Sequence, residues 1–287
     1  MQKIFTTLFF SFLFIPYAFS VSPMQMRFHC ANDTTEINAL LKEGINSKIQ
    51  DPSELVVFYA NKLIGHPYVA HTLEADKELL TINIDQLDCT TFVETLYALT
   101  STTLDNRYSW RDYAQKLENL RYRGGTITDY ASRLHYISDW IVDNTARGNI
   151  KEVTGDIPGS KYTIKTIDFM SNHRDKYPAL ADSTQFAKVK NTEIGYRLHR
   201  FPYVKKEWLK SKETVAAFKS GDIIGIVTKI DGLDVSHLGI IIKENGVLYF
   251  IDASSIGKKV QREDETFFEY MRRNRSSLGI RVIRIMD

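Results

Sequence analysis

Two dipeptides constrain this chain more than any other feature: Asp231-Gly232 and Asn245-Gly246. They separate three runs rich in β-branched residues, Ile223 to Ile230, Leu233 to Lys243 and Val247 to Asp252. Such dipeptides between apolar runs are the strongest short-range hairpin signals, because tight hairpin turns need positive φ. The C-terminal third is therefore expected to be an antiparallel meander, with Ile280 to Ile285 as a further strand. With Asn245-Gly246 as a two-residue turn, Glu244 pairs with Val247. The register then runs on to Gly239 opposite Asp252 and His237 opposite Ser254. Opposed residues share a face, and so do residues two apart. His237 and Asp252 thus become diagonal neighbours on one face, with Cβ atoms about 7 Å apart. Leu238, Ile240, Ile242, Tyr249 and Ile251 take the other face and enter the core.

The preceding part reads as helical. Asp33 or Thr34 caps a first helix, and Asp51-Pro52 opens a second, with proline where a missing N–H costs nothing. Leu55, Val56, Tyr59, Ala60 and Leu63 line one face of it. Residues 110–147 keep helical spacing at Trp110, Tyr113, Leu117 and Leu120, and again at Tyr136, Trp140 and Ile141, with Gly124-Gly125 as a break. Residues 148–210 are mixed and punctuated by glycine and proline. Helices first and antiparallel strands later imply an α+β fold. The expected organisation is one domain over 21–287 with a mostly helical insert at about 103–215.

One cysteine stands out against this frame. Asp88 is a good cap residue, and Phe92, Val93, Leu96 and Leu99 recur behind it at helical spacing. Cys89 then falls in a first helical turn, where free N–H groups and the helix dipole favour an anion. That position lowers a thiol's pKa, and the thiolate is the reactive form. The Asp88 carboxylate is expected to turn toward the backbone rather than oppose that effect. His237, oriented by Asp252, has the setting of a general base. Each residue also has a plain structural reading: Cys89 a packed thiol, His237 a solvent-facing strand residue, Asp252 a strand-end turn residue. The shared face of His237 and Asp252 weighs against the last two together.

The first twenty residues read as a signal peptide, with Lys3, an apolar run from Ile4 to Ile15, and Ala18-Phe19-Ser20 for cleavage. Export to the periplasm or cell envelope follows, with no stable membrane insertion after cleavage. Export makes a Cys30–Cys89 disulfide conceivable, but the setting of Cys89 argues against it. Cys30 is read as a lightly packed loop residue. The 37 basic and 35 acidic residues nearly cancel, which argues against nucleic acid as a partner. Arg272, Arg273 and Arg275 are read as a solvated helix end. His66, His71 and Glu74 match no strong zinc spacing, so no metal or other cofactor is expected.

The ordered motifs resemble those of the NlpC-type cell-wall hydrolases. They are Gly65-His66-Pro67-Tyr68, Leu87-Asp88-Cys89-Thr90-Thr91-Phe92-Val93, Ser220-Gly221-Asp222, Ser236-His237-Leu238-Gly239-Ile240 and Asp252-Ala253-Ser254-Ser255. The resemblance implies a papain-like fold, Cys89 as nucleophile, His237 as base, Asp252 as third residue, and Tyr68 beside the nucleophile. The third residue is often histidine in that superfamily and is aspartate here. A closer resemblance, to the N-acetylmuramoyl-L-alanine amidase-like branch, rests on Arg133-Leu134-His135-Tyr136, Asp139-Trp140, Phe169-Met170-Ser171 and Gly232-Leu233-Asp234-Val235. It implies cleavage between muramic acid and L-alanine in released 1,6-anhydromuropeptides.

Tyr68, Asp88, Arg133, His135, Tyr136, Asp234, Ser236 and Ser254 are expected to touch substrate. Arg133 is the preferred reader of a substrate carboxylate. The partners expected are peptidoglycan fragments, bound by a monomer. Two other readings stand beside this one: a γ-D-glutamyl-L-diamino acid endopeptidase of the same fold, and a non-catalytic wall-binding relic.

Overall fold

A computed structural model describes residues 25–286; the expected signal peptide lies outside them. The chain opens with β1 (Met26–Phe28), α1 (Asp33–Ser47), α2 (Pro52–Leu63), β2 (Leu80–Ile82), α3 (Cys89–Leu104), α4 (Trp110–Arg121) and α5 (Ile137–Ala146). β3 (Ile150–Glu152), β4 (Ser160–Lys165), α6 (Phe169–Asn172), α7 (Ser183–Gly195), β5 (His199–Lys205) and α8 (Lys212–Ala217) follow. The last part is β6 (Ile223–Thr228), β7 (Val235–Glu244), β8 (Val247–Ser254), β9 (Lys259–Arg262), α9 (Phe267–Arg273) and β10 (Ser277–Ile285). This is the expected α+β arrangement.

Seven strands follow one another in the sheet order β4-β5-β10-β6-β7-β8-β9, and β3 pairs with β10. Every recorded pairing in this sheet is antiparallel. The Asn245-Gly246 hairpin forms as expected, with Glu244 opposite Val247. Both turn residues have positive φ, 51° and 77°, as a type I′ turn requires. The recorded ladder runs only to Ile240 opposite Ile251, so the expected Gly239–Asp252 and His237–Ser254 pairs are not part of it. The Asp231-Gly232 signal marks a longer connection: β6 ends at Thr228 and β7 starts at Val235.

Both faces of the sheet are covered. Leu238, Ile240, Ile242 and Ile251 pack with Leu55, Tyr59, Phe92, Val93 and Leu96 from the helical layer, with Tyr249 partly buried against them. On the other face Ile224, Ile226, Ile241, Phe250 and Val282 meet Phe267 and Met271 of α9. Burial on both sides explains why these strands are near-continuous apolar runs. Three strands from the expected helical insert, β3, β4 and β5, join the main sheet. That stretch is therefore mixed, and it extends the sheet instead of standing off from it.

One of the two early helix starts follows the sequence and the other does not. The Asp51 carboxylate accepts from Glu54 N at 3.1 Å, and Pro52 takes the first turn of α2. The α1 cap falls on Asn32 with no side-chain bond. Asp33 is instead fully buried, accepting from Cys30 N (2.8 Å) and Ile84 N (3.2 Å).

Candidate active site

Cys89 is the first residue of α3, and Asp88 caps that helix. The Asp88 Oδ1 accepts from Thr90 N (3.0 Å) and Thr91 N (2.8 Å), while Asp88 N donates to Thr91 Oγ1 (2.8 Å). This reciprocal box satisfies three of the four free N–H groups at the helix start, those of Asp88, Thr90 and Thr91. Phe92 N already bonds Asp88 O at 2.9 Å. The Cys89 N–H is thus the donor left at the mouth of the helix. The Asp88 carboxylate is turned to the backbone as expected, which makes it a cap and corrects the substrate-contact expectation.

The imidazole arrives from the start of β7. A β-bulge at Ser236 lies immediately before it, where Ile226 faces His237 but Val227 faces Val235. Bulges re-aim side chains and are frequent beside active sites. His237 Nε2 meets Asp252 Oδ2 at 2.5 Å, so the register argument placed the pair correctly. With Nε2 committed to Asp252, Nδ1 is the ring's other nitrogen, and the Cys89 sulfur lies close enough to raise the ring's pKa. Burial disfavours the charged ring, but the nearby Cys89 sulfur and then the Asp252 carboxylate outweigh it. The imidazole pKa is raised to about 10. Asp252 is 1% exposed, and its Oδ1 has no partner among the described residues. Gly239 leaves room for the neighbouring strand: a Cβ there would lie 2.4 Å from the Phe250 ring and 2.6 Å from Ile251 O.

Tyr68 sits beside the nucleophile as expected. Its backbone bridges Leu87, and Val69 N donates to Leu87 O at 3.2 Å. Burial chiefly, then the proximity of Cys89 and Asp88, raises the phenol's pKa. Ser236 and Ser254 line a cleft next to His237, together with Tyr270 and Arg273 of α9. The sequence reading missed α9. Its signal was there in Phe267, Tyr270 and Met271 at helical spacing, but Arg273 was read only as a solvated end.

Four residues expected to touch substrate are already engaged within the protein. Arg133 is 8% exposed, and its fork is taken by Glu78 (2.9 and 2.6 Å) and Glu74 (2.8 Å). A substrate carboxylate would have to displace a bidentate pair. His135 is half-buried and bonds the Tyr130 carbonyl (2.8 Å); desolvation and then Arg133 lower its pKa to about 3, keeping it neutral. Tyr136 donates to Glu193 and accepts from Met170 N. Asp234 is 1% exposed and accepts from Ser138 N (2.5 Å) and Val235 N (2.8 Å), which fixes the start of β7.

The two cysteines are free. Cys30 donates to Asp85 at 3.0 Å and forms with Asp33 and Asp85 a compact group of metal-type donors. His66 Nδ1 bonds the Ile84 carbonyl (2.9 Å), and Glu74 is paired with Arg133 (2.8 Å).

Residues 59–280 match the AmiA-like family, described as N-acetylmuramoyl-L-alanine amidase-like. The chain belongs to this family. A solved N-acetylmuramoyl-L-alanine amidase from Bacteroides uniformis is 37% identical, over 82% of this chain and 99% of that one, with a TM-score of 0.78. A Bacteroides fragilis protein, solved under a provisional description as a xylanase, is 35% identical over 79% and 99%, with a TM-score of 0.74. A Legionella pneumophila protein at 20% identity shares the fold, over 88% and 95%, with a TM-score of 0.69. No curated protein matches the chain. Among the described residues, no helix of this amidase-like protein is long and apolar enough to cross a membrane.

Proposed function

We propose that this chain is a papain-like cysteine amidase of peptidoglycan fragments, cleaving the bond between (1,6-anhydro-)N-acetylmuramic acid and L-alanine. The observation that carries this reading is a buried ring bonded through Nε2 to Asp252, with the Cys89 sulfur near it at the mouth of α3. The Cys89 thiolate attacks the scissile carbonyl, and the tetrahedral oxyanion forms within reach of the Cys89 N–H at the helix mouth. Protonated His237 delivers its proton to the leaving amine, then takes one from water for deacylation. Asp252 holds the ring's tautomer and favours its charged form. All three groups come from one chain, so a monomer suffices. We place the protein, after signal cleavage, in the periplasm or cell envelope.

The reacting groups favour amide over glycoside chemistry. Glycosidases work through a pair of carboxylates flanking the scissile bond, whereas here the reacting pair is sulfur and imidazole. The bond assignment leans on the N-acetylmuramoyl-L-alanine amidase name of the Bacteroides uniformis relative. The test is mass analysis of a defined anhydromuropeptide after incubation with wild type and Cys89→Ala. The proposal expects free peptide beginning at L-alanine from the wild type and intact substrate from the variant. Products cut after the γ-D-glutamyl residue would move the assignment to the endopeptidase reading. No cleavage, together with an unreactive Cys89, would leave the wall-binding relic.

A further inference from the structure

The cleft beside His237 holds a cation that the mechanism above does not use. It has a volume of about 310 Å³ and is lined by His237, Asp252, Gln261, Glu263, Tyr270 and Arg273, among others. Of the described residues that line it, Arg273 is the one lysine or arginine. Arg273 is the last residue of α9, a helix anchored by the fully buried Phe267 and Met271. Tyr270 and Arg273 are three residues apart and so share a helix face, with the guanidinium 5.9 Å from the Tyr270 ring centre. That ring packs on Phe250 (5.1 Å), and its hydroxyl feels the charges of Asp252 and Cys89. Tyr270 is thus near Arg273 and near the reacting groups.

The acids of the cleft are already engaged. Asp252 is bonded to His237. The Glu263 side chain is 12% exposed and accepts from Gln261 Nε2 at 2.9 Å. Arg273 is the opposite case, with a side chain 63% exposed. Among the described residues its guanidinium donates no hydrogen bond; it is held only by ion pairs with Glu265 and, at 4.0 Å, with Glu263. Ion pairs of an exposed arginine are weak, so a carboxylate that enters the cleft can take the open fork. Arg133 offers no such fork, because Glu74 and Glu78 fill it. Five accessible donors in a planar array suit a carboxylate, which they can hold through two parallel bonds.

We propose that this cleft is the leaving-peptide subsite and that Arg273 binds a free carboxylate of that peptide. The inference rests on the amidase reading above. His237 must reach the leaving amine, so the departing peptide occupies the cleft that His237 lines. When the cut falls before L-alanine, the next residue is D-glutamate joined onward through its γ-carboxyl. Its α-carboxylate is then free, one residue beyond the new amine, and is the group the fork takes. In an endopeptidase that cuts after this glutamate, the same carboxylate would belong to the acyl half and would not enter the cleft.

The test is steady-state kinetics on two 1,6-anhydro-N-acetylmuramoyl tripeptides, L-alanyl-γ-D-glutamyl-L-lysine and its D-isoglutamine counterpart. They differ only in whether that α-carboxylate is free or amidated. The proteins are wild type, Arg273→Gln, Arg273→Lys and, as a control, Arg272→Gln, whose position does not line the cleft. Wild-type KM should be about tenfold lower for the free carboxylate than for the amide, as a charge-assisted bond provides. Arg273→Gln should raise KM for the free carboxylate by about tenfold, with a much smaller change in kcat, and leave KM for the amidated substrate near wild type. Arg273→Lys should recover part of the difference, since it keeps the charge and loses the fork. Arg272→Gln should discriminate as wild type does. The melting temperature of Arg273→Gln should stay near wild type, as for an exposed side chain. Equal KM for the two substrates in the wild type, or a rise in both KM values alike in Arg273→Gln, overturns the subsite and leaves the amidase reading intact. A loss of discrimination in Arg272→Gln as large as in Arg273→Gln overturns the assignment to Arg273. Cleavage after the γ-D-glutamyl residue, or no cleavage by the wild type, sinks the amidase reading and this inference together.

Discussion

The charge on His237 is governed by the Cys89 sulfur and the Asp252 carboxylate beside a buried ring. Its folded pKa, raised to about 10, exceeds the ordinary value near 6.5. The ring therefore remains an imidazolium through neutral pH. The stability this provides is fully present below about pH 6.5 and is lost as pH rises through about 10. The proposed mechanism needs that proton for the leaving amine. The alkaline limb of kcat/KM should then lie well above pH 8. Asp252→Asn removes one of the two raising charges and should draw that limb toward the ordinary histidine range. The pH profiles of wild type and variant, measured side by side, check this. Identical alkaline limbs would show that Asp252 does not govern the ring. The pair itself was legible from the chain, because a two-residue turn fixes register and register fixes which side chains share a face. Arg133 was not legible, since its partners Glu74 and Glu78 lie 59 and 55 residues away in sequence.

At the level of elements, α3 must present Cys89 at a fixed height, and its seat is polar as well as apolar. Glu94 of α3 and Arg121 of α4 form an ion pair at 2.7 Å, both side chains 3% exposed. Arg121 also donates to Thr81 O of β2 at 2.8 Å. Burial raises the Glu94 carboxyl's pKa, and Arg121 pulls it back only in part. Removing one partner of such a pair strands a buried charge, whereas replacing both with apolar side chains is often neutral. Arg121→Met should therefore cost about 3–5 kcal/mol in urea denaturation. Glu94→Leu in the same chain should restore most of it. A single variant as stable as wild type would show that the pair is not what seats α3. The sequence made the helix and its cap legible, because apolar spacing and Asp88 are local signals. It did not disclose the pair across two helices. The six-residue connection 229–234 was missed for a related reason. Lys165 Nζ binds Thr228 O (2.6 Å), Ile230 O (2.8 Å) and Leu233 O (2.5 Å), so a distant strand opens what Asp231-Gly232 alone would close.

Across the whole molecule, that connection joins two parts of the chain in one cooperative structure. The stretch between α5 and β6 contributes β3, β4 and β5 to the sheet through β10. Arg281, on β10 and 1% exposed, binds Glu152 of β3 (2.7 Å) and Ser138 Oγ of α5 (2.8 Å). Asp234, which anchors the start of β7 three residues before His237, takes its second bond from Ser138 N. The intervening stretch thus holds the imidazole in place without touching it. If so, that stretch and the site cannot melt separately. Trp208 reports on the stretch between β5 and α8, and Cys89 alkylation reports on the site. In a Trp110→Phe, Trp140→Phe background, urea curves from Trp208 fluorescence and from the protection of Cys89 should share one midpoint, as two-state unfolding requires. An early fluorescence transition with Cys89 still in its native environment would mean that the stretch is an independent appendage, and the link through Asp234 and Arg281 would then be incidental. Coincident curves in that background, with both shifted equally by Arg281→Met, would tie the position of His237 to β10, the strand that joins β3 and β5 to the rest of the sheet.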